Sequence, residues 1–124
     1  MVINFNPKYI PGDIVYNHKK EIIRITSSYL KGTKLFYYRD GNYGWIREDA
    51  IKPIPLTPEI LEKNGWEHKD DIYFKEFPHR KLVIMDENAY IINECCSMFL
   101  CPAKFVPQLQ HLLFGLGINH EMEV

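Results

Sequence analysis

Three prolines alternate across six residues, Pro53-Ile54-Pro55-Leu56-Thr57-Pro58, and no strand ladder or helix can run through them. Each proline lacks a backbone N–H and fixes φ, so the chain is held extended. The segment divides the 124 residues into a front part, 1–54, and a back part, 55–124. At this length the two parts are expected to be subdomains of one compact unit. The junction also sets up its successor. Thr57 is a good N-cap, Pro58 suits the first helical position, and Glu59 lies near the positive end of the helix dipole. A helix of two turns at most is predicted through Ile60, Leu61 and Lys63, ending at Asn64-Gly65.

The front part reads as short strands between turns. Pro11-Gly12-Asp13 precedes a strand at Ile14-Val15-Tyr16, and Asn17 to Lys20 is a polar hairpin loop. Glu21 to Ser27 is rich in β-branched residues and predicts a second strand. Ser28 to Thr33, with Gly32, reads as a loop. Lys34 to Arg39 is a third strand, in which alternation puts Leu35 and Tyr37 on one face and Phe36 and Tyr38 on the other. Asp40-Gly41-Asn42-Tyr43-Gly44 is turn chemistry. Trp45-Ile46-Arg47 is a short strand, Glu48-Asp49-Ala50 a helical turn, and Ile51 to Pro53 a last strand. Five short strands in meander order predict an SH3-like small β-barrel over about residues 9–54.

The back part is mixed. Hairpin strands are expected at Trp66 to His68 and Ile72 to Lys75, with further strands at Arg80 to Met85 and Tyr90 to Asn93. Glu94 to Pro102 carries no clear pattern. Val106, Leu109, Leu112, Leu113 and Leu116 form a helical stripe, closed by Gly115 and Gly117, and Ile118 to Val124 reads as an acidic tail. The fold class is therefore α+β: an N-terminal barrel, then β-hairpins, then one C-terminal amphipathic helix.

The net charge of −1 conceals an asymmetry. Residues 1–52 carry nine Lys/Arg against five Asp/Glu, and residues 53–124 carry six against eleven. A basic front could face nucleic acid or another anion, and opposite halves could also pair between copies as a homodimer. No stretch approaches the roughly 18 consecutive apolar residues of a membrane span. The start, Met1 to Phe5, lacks the basic and apolar regions of a signal peptide, so a cytoplasmic location is expected.

Catalytic and metal signatures are missing. Cys95, Cys96 and Cys101 have neither the pairing of a disulfide framework nor the spacing of structural zinc, and they are expected to be buried and unreactive. The five histidines include no His-Glu-x-x-His and no pair four residues apart on a helix. Gly-x-Ser-x-Gly and glycine-rich phosphate loops do not occur. Glu48-Asp49, Asp70-Asp71 and Asp86-Glu87 fall in turns or caps, where solvated charge is the ordinary explanation. The chain is read as a non-enzyme with no catalytic residue, metal or cofactor.

A binding surface remains. Lys34, Tyr38, Arg39, Tyr43, Trp45 and Arg47 cluster around the third and fourth strands and their loop. Cations beside exposed aromatics are how small barrels hold nucleic acid, nucleotides or peptides. The competing reading has these aromatics filling the barrel while the cations keep it soluble.

Two stretches carry a resemblance. Pro53 to Trp66 (PIPLTPEILEKNGW) resembles the PIPLT-E-x-L-x-K-x-G-F segment of a family of small uncharacterised bacterial and phage proteins. Val106 to Phe114 (VPQLQHLLF) is similar to that family's C-terminal V-x-QLQ-x-L-x-F helix, and Gly12-Asp13-Ile14-Val15 to its opening strand. Pro107 stands where the family has histidine, which moves the helix start, and Gly115 and Gly117 shorten the helix. The resemblance implies a mobile-element accessory protein with no catalytic residue to carry over. On that context the expected function is non-enzymatic binding, with inhibition of a host antiviral defence as one role, by binding a host protein or sequestering a nucleotide signal. The alternative is a nucleic-acid-binding module using the basic face of the barrel.

Overall fold

The computed structural model describes residues 8–31, 34–39, 45–78, 80–93 and 96–124, with Lys34 described by its backbone only. The chain divides into two compact units, Met1–Ile54 and Pro55–Val124. It is α+β, with one five-stranded antiparallel sheet in each unit and a C-terminal helix.

In the first unit, β1 (Ile14–Tyr16), β2 (Ile22–Lys31), β3 (Lys34–Arg39), β4 (Trp45–Arg47) and β5 (Lys52–Pro53) lie in the order β4-β3-β2-β1-β5. A 3-10 turn, Glu48–Ala50, separates β4 from β5. Asn17 organises the β1–β2 turn by accepting from the backbone N–H groups of Lys19 and Glu21 through Oδ1, both at 2.9 Å. β2 lies between β1 and β3, and its ladder with β3 shifts register between Ile25 and Ser27. Such a bulge bends a strand and increases its local twist.

Two expectations change here. β2 continues through Ser28–Lys31, where a loop was predicted, because that stretch pairs residue by residue with β3. Cross-strand pairing outweighs the turn signal of Ser28 and the following Gly32. The sheet is also not a closed barrel, since β4 and β5 stand at opposite edges. They are three and two residues long, and Pro53 has no N–H to give to a ladder.

The core of this unit consists of Tyr9, Val15, Ile23, Ile25, Tyr37, Ile46 and Ile51. Tyr37 is its polar anchor. Its hydroxyl donates to Glu48 Oε2 and accepts from the N–H groups of Lys8 (3.0 Å) and Tyr9 (3.3 Å), joining β3, the 3-10 turn and the incoming chain.

The second unit opens with α1 (Pro58–Lys63), capped by Thr57, whose Oγ1 accepts from the Ile60 N–H at 3.3 Å. Gly65, at φ +84°, ends it in the left-handed conformation that glycine adopts without steric cost. A simple meander follows: β6 (Glu67–Lys69), β7 (Ile72–Phe77), β8 (Arg80–Met85), β9 (Asn88–Ile92) and β10 (Ser97–Pro102), with β6 and β10 at the edges. Asp86 and Glu87, both at positive φ, make the two-residue turn between β8 and β9. α2 (Val106–Gly115) buries Val106, Pro107, Leu109, Gln110 and Leu113. Leu112 and Leu116 of the predicted stripe are only half buried. Gln108 caps the helix by accepting from the N–H groups of Lys104 (2.8 Å) and Phe105 (3.0 Å).

The last residues are docked. Met122 is buried, and Asn64 exchanges two hydrogen bonds with the Glu123 backbone, at 2.7 and 2.8 Å. The cysteines depart from expectation. Cys96 is exposed beside Asn93, Cys101 is half buried, and Cys95 lies outside the described residues. The patternless stretch before α2 contains a sheet edge, and Cys96 lies exposed beside it. Among the described residues no helix is long and apolar enough to cross a membrane.

Candidate functional site

Alternation along β3 and β4 sorts the aromatics of the first unit. Tyr37 and Ile46 pair across the strands and point into the core. Their neighbours must therefore face the other way. Tyr38 pairs with Trp45 and Phe36 with Arg47 on that outer face. The long hairpin adds Tyr29, directly opposite Phe36. The rings meet: Tyr38 and Trp45 have centroids 3.3 Å apart, and Tyr29 lies 4.8 Å from Trp45. Trp45 stays 41% exposed and Tyr29 49% exposed, so the cluster is open to solvent. With Phe36 and Lys31 it lines a concavity of about 480 Å³.

The predicted site residues separate accordingly. Tyr38, Trp45 and Arg47 share this outer face. Arg47 is bound to Asp49 at 2.7 Å in a pair that is exposed on both sides. Such a pair is weak and can exchange for a ligand anion. Arg39 pairs with Ile25, on the core side of the strand, so it belongs to the opposite face from Tyr38. Its charge is felt by Glu21, whose carboxyl is held below its usual range, chiefly by the Asn17 hydrogen bond and also by Lys19, Arg39 and His18. Tyr43 and the Lys34 side chain lie outside the described residues.

Tyr29, Lys31 and Phe36 are missing from the sequence-derived set. Alternation had already joined Phe36 to Tyr38. Tyr29 becomes visible only once Lys31 is paired with Lys34, because that register aligns Tyr29 with Phe36.

A second concavity, about 410 Å³, is lined by Lys8, Leu35, Arg47, Glu48, Asp49 and Ile51. Two cations and two carboxylates give it no preference for either sign of ion. The phenols near it are structural. Burial and then the Glu48 hydrogen bond raise Tyr37 strongly, while burial, Glu48 and Asp13 push Tyr9 up to about 12. Neither phenol ionises near neutral pH.

In the second unit, a groove of about 510 Å³ runs between β10 and α2, lined mainly by apolar groups with Cys101 and His111 at its walls. Burial pushes the Cys101 thiol up, away from the reactive thiolate. Among the described residues, no three His, Cys, Asp or Glu side chains gather as a metal site. Compared with protein-family models, with curated proteins and with solved structures, the chain matches none.

Proposed function

We propose that this chain is a non-catalytic binding protein whose ligand stacks a nucleobase on the outer aromatic face of β2, β3 and β4. The observation that carries this reading is the exposure of Trp45 in ring contact with both Tyr38 and Tyr29. Burying a tryptophan gains more than leaving it wet, so a core-forming role would have turned it inward. A flat ligand regains that energy at the surface, and base–aromatic stacking is worth ~1–3 kcal/mol per base. Lys31 at the rim, and the positive balance of residues 1–52, suit the attached phosphate.

The strand order and the 3-10 turn between β4 and β5 support an SH3-like reading of this unit. The resemblance to mobile-element proteins supplies the context: an accessory protein that captures a nucleotide signal or a single strand. These two sources share one chemistry and are separable by experiment. Of the two tryptophans, Trp66 is buried and Trp45 is exposed, so fluorescence quenching reports on the platform.

Titration with a mixed-sequence single-stranded oligonucleotide and with mononucleotides should quench Trp45. Oligonucleotide binding should weaken as salt rises, whereas preferential mononucleotide binding would identify the signal-capture role. A proline-rich peptide is the control, since aromatic grooves also take extended proline segments. Quenching by the peptide alone, with none by either nucleotide ligand at low salt, would overturn the base-stacking reading.

A further inference from the structure

The two edges of the second sheet are built differently. β6 is three residues long, with charged Glu67 and Lys69, the usual protection against strand addition. β10 is six residues, Ser97-Met98-Phe99-Leu100-Cys101-Pro102, with no charge and with Met98 58% and Phe99 53% exposed. Among the described residues, no strand pairs with its outer side.

Hydrogen-bond alternation tells which groups that side presents. Asn93 N–H donates to Cys96 O at 3.1 Å, so residues 93 and 96 form a bonded pair. Alternation then makes Ile92–Ser97 non-bonded, Ile91–Met98 bonded and Tyr90–Phe99 non-bonded. The backbone groups of Ser97 and Phe99 therefore point away from β9. At the far end Ala103 N–H donates to Glu87 O at 2.8 Å. The same alternation turns Lys104 outward, and its carbonyl is indeed taken there by the Leu56 N–H, at 2.9 Å. The edge thus already accepts a partner beyond Pro102 and, among the described residues, has no strand paired to the positions before it.

We propose that β10 pairs antiparallel with β10 of a second copy of this chain, about a two-fold axis at Met98. That register is self-complementary. Ser97 faces Phe99 of the second copy and Phe99 faces its Ser97, so all four outward-pointing N–H and C=O pairs are used. Met98 meets its own copy in the close, non-bonded position. With no charge on the strand, the antiparallel copy meets no like-charge conflict. Phe99 extends the row Phe74, Val83, Tyr90, Phe99, which the register aligns across the sheet. The two sheets become one of ten strands. Within β10 this register pairs three residues a side, Ser97 to Phe99, far fewer than the ~20–30 of a standard interface, so the dimer forms on concentration and dissociates on dilution.

Sedimentation velocity over a concentration series tests this, together with amide exchange. The wild-type chain should dimerise as concentration rises. The Ser97 and Phe99 amides should gain protection with it, while Met98, already bonded to β9, should not change. Met98→Lys brings two ammonium groups together at the axis and should weaken the dimer about tenfold or more. Ser97→Pro removes an outward N–H that β9 does not use, and should weaken it while leaving the fold intact by circular dichroism. A chain that stays monomeric at millimolar concentration overturns the proposal. So does a dimer that neither substitution affects, or one whose formation leaves the Phe99 amide unprotected.

Discussion

Both units are five-stranded antiparallel sheets, yet they place their surplus aromatic and apolar surface differently. The first exposes it in the middle of a face, where Tyr29, Tyr38 and Trp45 touch one another. The second exposes it at an edge, through Met98 and Phe99 of β10. A face offers rings and no backbone groups, which suits a flat ligand. An edge offers backbone donors and acceptors in a row, which suits another strand. The cores differ as well. The first holds a hydrogen-bonded phenol, Tyr37, at its centre, while the second is filled largely by aliphatic groups such as Leu82, Ile84 and Leu109.

The largest expected effect tests the aliphatic core. Leu82 is fully buried in β8, so Leu82→Ala should cost ~2–5 kcal/mol in denaturant unfolding. If the two units unfold separately, only the transition of the second should move. Tyr37→Phe keeps the ring of the first core and removes its hydroxyl. The loss of a half-buried hydrogen bond to the Glu48 carboxylate, and of the acceptor for the Lys8 and Tyr9 N–H groups, should cost ~1–3 kcal/mol. A change confined to the first unit's transition would sharpen the contrast between the cores, and no change at all would erase it.

Trp45→Ala should separate binding from stability. It should lose ~1–3 kcal/mol of nucleobase-ligand affinity by fluorescence-independent titration calorimetry. Thermal stability should change much less than in Leu82→Ala, because the ring is 41% exposed. A large loss of stability with unchanged affinity would return the ring to the core-packing role.

The smallest effect concerns pH. Tyr9 is raised in the folded chain from 10.0 to about 12. The folded state thus keeps a proton that the unfolded state releases. Stability from this source is complete below pH 10 and is lost as pH rises from 10 towards 12. The Tyr9 hydroxyl is buried with no hydrogen-bond partner among the described residues. Tyr9→Phe should therefore be neutral or slightly stabilising near pH 7 and should reduce the alkaline loss. Unfolding followed by circular dichroism between pH 9 and 12 would show it, and an unchanged alkaline limb would remove Tyr9 as its source.

Much of the fold was legible because it is written locally. Thr57-Pro58 and Asn64-Gly65 bound α1 by capping chemistry that needs no distant partner. The strands β1, β3 and β4 and the turn Glu48–Ala50 follow from propensity and punctuation in their own residues. The site was half legible for the same reason. Tyr38, Trp45 and Arg47 could be named from the clustering of aromatics and cations around β3 and β4, and alternation put Phe36 on the face of Tyr38 without its being chosen.

What remained was decided by pairing between distant residues. A shift of one residue in the β2–β3 register would turn Tyr29 to the other face, and nothing within Ser28–Lys31 selects between the two. Whether Trp45 faces water or core depends on Ile46 and Tyr37 meeting across β3 and β4. The exposure of Cys96 and the open edge of β10 have the same origin, because an edge is defined by which strand has no neighbour. Local chemistry determined the turns, the caps and most of the strands. Only the tertiary structure decided faces and edges, because each depends on a partner many residues away along the chain.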